Sequence, residues 1–145
     1  MNGALNRHAL LWQDAIAAAS KVYTATAQAD SRYEDLQDRM RASALRLATS
    51  LAQAGALSRR SERLSVLNSA AGTLAELETQ THIAIELEIL DPKLSLASHV
   101  ARLRTALAAM IRSLQEQRSR DMPPTWQVRP HALGSTARMI DRKTL

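Results

Sequence analysis

The stretch ELETQTHIAIELE, residues 76–88, carries Glu76, Glu78, His82, Glu86 and Glu88. Carboxylates and an imidazole on one helix could hold a metal ion or move a proton. A di-metal helical bundle, however, uses inward-facing Glu-x-x-His pairs. Glu78 and His82 lie near one helical face but are one residue too far apart for that motif, and no matching pair occurs elsewhere. The four histidines, His8, His82, His99 and His131, are scattered over different segments and fit no zinc spacing. Cysteine is absent, which excludes disulfides, a thiolate metal site and a Cys nucleophile. No Gly-rich phosphate loop occurs, and nothing in the sequence groups the available Ser, His and Asp. The expectation is a non-enzymatic protein with no cofactor and no metal.

Glu76 and Glu78 pose a different problem. Two apart on a helix is roughly 200° of rotation, so they face different surroundings. On a helical wheel Glu78 falls among Leu67, Ala71, Leu74 and Ile85, whereas Glu76 falls far outside that cluster. A lone carboxylate on an apolar face costs several kcal/mol unless it is paired. In the preceding segment Arg41 falls within an apolar arc of Leu36, Met40, Ala44, Leu47, Ala48 and Leu51, while Arg39 and Arg46 point away. Opposite charges on two adjacent apolar faces suggest an Arg41–Glu78 structural ion pair, since a guanidinium can meet a carboxylate with two hydrogen bonds. Two alternatives are that both side chains snorkel to the bundle's edge and that one faces another subunit.

Arginine chemistry is the other candidate function. Arg outnumbers Lys by 16 to 3, the net charge is +5 and the pI is near 10.4, a composition suited to phosphate recognition because the guanidinium fork binds it bidentately. Arg59, Arg60 and Arg63 cluster at one helix start. Arg102, Arg112 and Arg120 share a loose polar side of a later helix. Arg129 lies in a basic tail beside Trp126, which could stack on a base or tuck into the protein. These eight residues are the candidate nucleic-acid-binding set; as isolated helical faces they also read as ordinary solvated surface.

The elements that must position these residues are helices. Hydrophobic residues make up 46% of the chain, but Phe is absent and Gly and Pro number four each, so a core of Leu, Ala, Ile, Val and Met built by helices is expected. Trp12, Ala15, Ala19, Val22 and Thr26 define one stripe of a helix over about 5–28. Asp30 or Ser31 offers an N-cap for a second over about 32–54, with Leu36, Met40, Leu47 and Leu51 on its inner side and Gly55 as its stop. Ser58 or Ser61 could cap a third, running to about Leu90. Pro92 disfavours helix at Asp91. The fourth covers about 94–118, with Val100, Leu103, Leu107, Met110, Ile111 and Leu114 inward. Short connections make successive helices antiparallel. The expected fold is thus an all-α, up-down-up-down antiparallel four-helix bundle over 1–120. A basic, Pro-containing extended tail fills 121–145; residues 122–145 hold three of the four prolines and a net charge of +3. The wide apolar arc of the third helix, Leu67, Ala70, Leu74, Leu77, Ala84 and Ile85, exceeds what one antiparallel neighbour would cover and suggests self-association. No apolar run reaches the ~18 residues of a membrane span, and the N-terminus reads as an amphipathic helix and not a signal peptide, so the expected location is the cytoplasm.

Several of these stretches resemble a known family. LWQDAIAAASKVY resembles the opening Trp-x-x-Ala…Val-Tyr helix of the bacterial four-helix-bundle proteins encoded in intervening sequences of 23S rRNA genes. LQDRMRASALRLATSLAQA resembles that family's second helix, and SRRSERLSVLNSAAGTLAELETQTHIAIELEIL its third, most specifically over Ala71–Gln80. Trp12, Met40, Arg41, Ala44, Ala52, Gly72, Leu74, Glu76, Leu77, Glu78, Thr79 and Gln80 match the family pattern. The family's Asn-Ile-Ala-Glu-Gly is Ser50-Leu51-Ala52-Gln53-Ala54 here, its Phe-Pro before the second helix is missing, and the tail is longer. The family is similar in fold to the accessory variability determinant of diversity-generating retroelements, a basic homopentamer that binds a reverse transcriptase and nucleic acid. The resemblance implies a homo-oligomer, with five subunits the preferred count, and a role bound to RNA with a reverse transcriptase as protein partner. The competing expectation is a structural or adaptor oligomer with no nucleic acid.

Overall fold

The computed structural model describes residues 2–29 and 31–121. Trp126, Arg129 and the rest of the tail lie outside the described residues. Four helices, α1 (Asn2–Thr26), α2 (Glu34–Ala56), α3 (Arg60–Glu86) and α4 (Leu96–Asp121), account for nearly all of them, with a short 3₁₀ turn over Ser31–Tyr33. Sequence-adjacent helices pack on each other, and α4 closes back on α1; the backbones of the diagonal pairs α1/α3 and α2/α4 stay farther apart. This is the expected up-down-up-down bundle. The α2–α3 seam is the most extensive and the α1–α4 seam the thinnest.

The core is aliphatic, as a chain without Phe requires. Val22, Met40, Leu47, Leu51, Leu67, Leu74, Leu77, Leu103 and Leu107 are all fully buried, and small Ala15, Ala18, Ala54 and Ala70 let the helices approach. The predicted stripe of α1 is displaced at one position. Ala15, Ala19, Val22 and Thr26 are buried, but Leu11 takes the inward place and Trp12 stays 39% exposed. Most of the wide arc of α3 is consumed inside the bundle: Leu67, Ala70, Leu74, Leu77 and Ala84 are buried within one chain, and Ile85 is half-buried.

The helix ends depart from the simple capping signals. No side-chain cap bond forms at Tyr33 or Arg59, the residues preceding α2 and α3. Glu34, Asp35 and Glu62 in the first turns supply favourable charge to the helix dipoles instead. Gly55 does not stop α2, which continues through Ala56 without a positive φ. Its missing Cβ serves packing: a methyl there would come within 2.6 Å of His8 Cε1. The helix α3 ends at Glu86, short of Leu90, in a Schellman motif. Glu88 adopts φ 57°, its N–H donates to the Ile85 carbonyl, and the Ile89 N–H donates to Ala84 at 2.8 Å. Leu90 is buried just beyond it. Asp91 then accepts from the Lys93 N–H at 2.8 Å through its carboxylate, and its carbonyl accepts from Leu94, so Asp91–Leu94 forms the Pro92 turn into α4.

Candidate nucleic-acid interface

The wheel assigns the two glutamates to the right surfaces but not to the expected partners. The Glu78 side chain is 20% exposed and Glu76 57% exposed. Arg41 is half-buried, yet it does not pair with Glu78. Its Nε donates to Thr26 Oγ1 and its Nη2 to the Thr26 carbonyl, both at 2.9 Å, while Nη1 meets Asp38 Oδ1 at 3.1 Å. The guanidinium also lies 5.7 Å from the Tyr23 ring centre. Arg41 thus ties the end of α1 to α2. Glu78 is met from the other side by Arg104 of α4 at 3.5 Å. Arg41 and Glu78 sit on opposite flanks of the α2–α3 seam, one turned to α1 and the other to α4. The ion pair that crosses that seam is Arg46–Glu76, at 2.9 Å and half in water.

His82 is exposed on α3, and among the described residues no three His, Asp or Glu side chains group as a metal site. Two other histidines are enclosed. His99 is buried between α1 and α4, with Nε2 3.6 Å from Asp14 Oδ1 and no hydrogen-bond partner on either ring nitrogen. Burial holds its pKa below the usual value, and the charge of Lys21 adds to this against the opposing pull of Asp14. His8 is half-buried against Gly55. Burial first, then Arg63, lower its pKa, while a hydrogen bond with the Leu51 carbonyl acts the other way. Both imidazoles are therefore neutral at pH 7.

The arginine clusters are sorted by the topology. The N-terminal halves of α1 and α3 and the C-terminal halves of α2 and α4 share one end of an up-down bundle. Dividing each helix at its midpoint, with Asp14 counted in this half, the described residues of this end include eight basic residues (Arg7, Arg46, Arg59, Arg60, Arg63, Arg112, Arg118, Arg120) and four acidic ones. The described residues of the opposite end hold seven basic and eight acidic. The midpoint division gives net +4 at one end and −1 at the other, or +3 and 0 when Glu76 is counted with Arg46, its partner at 2.9 Å; residues 122–145, with a further +3, follow the basic end.

Within the candidate set, Arg59 is exposed beside Glu62 at 3.4 Å. Arg63 is half-buried and occupied, donating through Nε and Nη2 to the Leu57 carbonyl. Arg60 is also half-buried. Arg112 and Arg120 are exposed on the basic half of α4, but Arg102, also exposed, sits on the other half. At 1.5 Å per residue it is roughly 27 Å from Arg120, so the structure does not bring Arg102 to the Arg59 cluster. A basic residue the sequence reading missed is Arg7: it comes to this end only because α1 starts there, a signal present in the topology and not in any local motif. Between α1 and α4 at the same end lies a groove of about 400 Å³ floored by Leu10, Leu11, Met110 and Leu114, with Arg7 and Arg63 on its rim. No protein-family model matches this chain, and no curated protein matches it. No helix among the described residues is long and apolar enough to cross a membrane.

Proposed function

We propose that this protein is a non-enzymatic, homo-oligomeric accessory protein that binds RNA through its basic end. The observation that carries the reading is the segregation of charge. Arg7, Arg59 and Arg120 are exposed at the end where the basic tail begins, and such a field attracts a polyanion beyond any single contact. In an oligomer each cluster repeats by symmetry and the field grows. The groove beside Arg7 and Arg63 offers an apolar floor next to guanidinium groups, which suits a base splayed out of a single strand and not one stacked in a duplex. The resemblance to the bundle proteins of rRNA intervening sequences and retroelements leads to the same reading and adds a reverse transcriptase as the candidate protein partner and the cytoplasm as the location. Titrating labelled single-stranded RNA at several salt concentrations tests it. Affinity should fall steeply with salt as condensed counterions are released. No affinity even at low salt would leave the adaptor reading in its place.

A further inference from the structure

The helix α1 carries a second apolar stripe that the bundle does not use. Leu5, Trp12, Ile16 and Tyr23 are 70%, 39%, 42% and 44% exposed. Their spacings of 7, 4 and 7 residues bring all four to within about 40° of one line along the helix. The stripe runs along the edge shared with α2, since Tyr23 lies against Arg41 of that helix. Leu45, one turn beyond Arg41 and 48% exposed, continues it onto α2. With roughly 200 Å² per large side chain, the exposed apolar area is on the order of 500 Å², at the upper end for a monomer's largest patch. It is also more than half of the ~800 Å² per partner of a stable interface. The patch bears almost no charge: Arg41 is already paired with Asp38. A strongly charged partner gains nothing there.

The opposite side of the bundle holds its counterpart. Because α1 is diagonal to α3 and α2 to α4, the outer seam of α3 and α4 lies on the side of the bundle opposite the α1–α2 edge that carries this stripe. That seam is hollowed into an apolar groove of about 260 Å³, floored by Leu74, Leu107 and Ile111 and kept shallow by Ala71 and Ala108. The volume falls below the ~300–1,000 Å³ of small-molecule sites and suits an inserted side chain. Arg112, exposed on its rim, can lie over an aromatic ring.

We infer that the Trp12–Ile16–Tyr23 stripe of one copy docks head-to-tail into the α3–α4 groove of a second copy. This rests on the homo-oligomer reading above and adds the two surfaces that build it. A contact between unlike faces leaves one free face on each end, so it propagates until a ring closes or continues as a filament.

Light scattering on the full chain, alone and in mixtures, tests this. The two variants are Ile16→Glu on the stripe and Ala108→Glu in the groove; both sites are exposed, and circular dichroism verifies that each variant keeps its helix. The wild type should assemble, and each variant alone should fall to the 15.9 kDa monomer. An equimolar mixture should recover a dimer and nothing larger, because Ile16→Glu keeps a groove and Ala108→Glu keeps a stripe. If Ala108→Glu alone still dimerises and the mixture gains nothing, the stripe pairs with itself and the inference fails. Wild-type assembly untouched by both changes overturns these surfaces and leaves the oligomer reading standing. A monomeric wild type overturns both.

Discussion

Replacing Arg41 by Ala should cost far more stability than replacing Glu78. The Arg41 guanidinium makes two 2.9 Å bonds to Thr26, one of them to the backbone carbonyl at the end of α1. Hydrogen bonds from a charged donor contribute ~1.5–3 kcal/mol each in favourable cases, and that carbonyl lies in the last turn, where intrahelical donors are missing. With the Arg41 side chain 26% exposed, solvent screening takes back part of this, so a loss of about 2–3 kcal/mol is expected. Arg41→Lys removes the fork but keeps the charge and should recover less than half of it. Glu78 faces an Arg104 that is 61% exposed, at 3.5 Å. Glu78→Ala should therefore cost about 0.5–1 kcal/mol, and Asp38→Ala and Glu76→Ala less than about 0.5 kcal/mol. Urea unfolding followed by far-UV circular dichroism gives all five values. Combining Arg41→Ala with Thr26→Val should show a coupling of about 1–2 kcal/mol, since both act on one contact. A Glu78→Ala cost equal to that of Arg41→Ala, with coupling between the two changes, would be the signature of a buried Arg41–Glu78 pair and would refute the Thr26 contact as the source of the loss.

Three further changes follow from the described geometry. Glu88→Gly should stabilise by roughly 0.5–1 kcal/mol, because glycine removes the left-handed strain at φ 57° in the Schellman turn; a higher urea midpoint checks it. Gly72→Ala should stabilise by about 0.5–1 kcal/mol, since it lies inside α3 with nothing within 4 Å of an added Cβ; a lower thermal midpoint would mean that this face is covered. Stability should be level above about pH 6.5 and fall as the pH drops below it. The reason is that His8 and His99 have lowered folded-state pKa values, so the unfolded chain takes up their protons first. The loss ends below the folded-state values, and His99→Gln should flatten the curve.

The helices themselves were legible because Leu and Ala recur with a 3.6-residue period and Pro92 interrupts it. The boundaries were less so, for physical reasons. The end of α3 uses Glu88 at a left-handed position where only Gly or Asn would have announced it. On α1 two apolar stripes lie side by side, so Trp12 reads as core although Leu11 holds that place. For Arg41 and Glu78 the wheel gave depth correctly. A wheel shows how far a residue lies from the apolar centre, but not which neighbouring helix its flank faces, and here the flanks face α1 and α4. The Arg59, Arg60 and Arg63 cluster was visible as a run in the chain. The joining of Arg7 and Arg120 to it, and the separation of Arg102 from it, depend on which helix ends meet. Local sequence carries no such signal.

The most direct test of the account compares RNA affinity in two charge variants. One is Arg7→Ala/Arg59→Ala/Arg120→Ala, which takes exposed charge from the basic end. The other is Arg39→Ala/Lys93→Ala/Arg102→Ala, which takes the same charge from the opposite end. All six side chains are exposed, and both triples change the net charge equally. The measurement is the slope of log affinity against log salt with single-stranded RNA, where each lost phosphate contact reduces the slope by about 0.7. The account predicts a slope shallower by up to about 2 for the first variant and little change for the second. Equal slopes in both would mean that binding follows net charge alone and would contradict a basic-end RNA site.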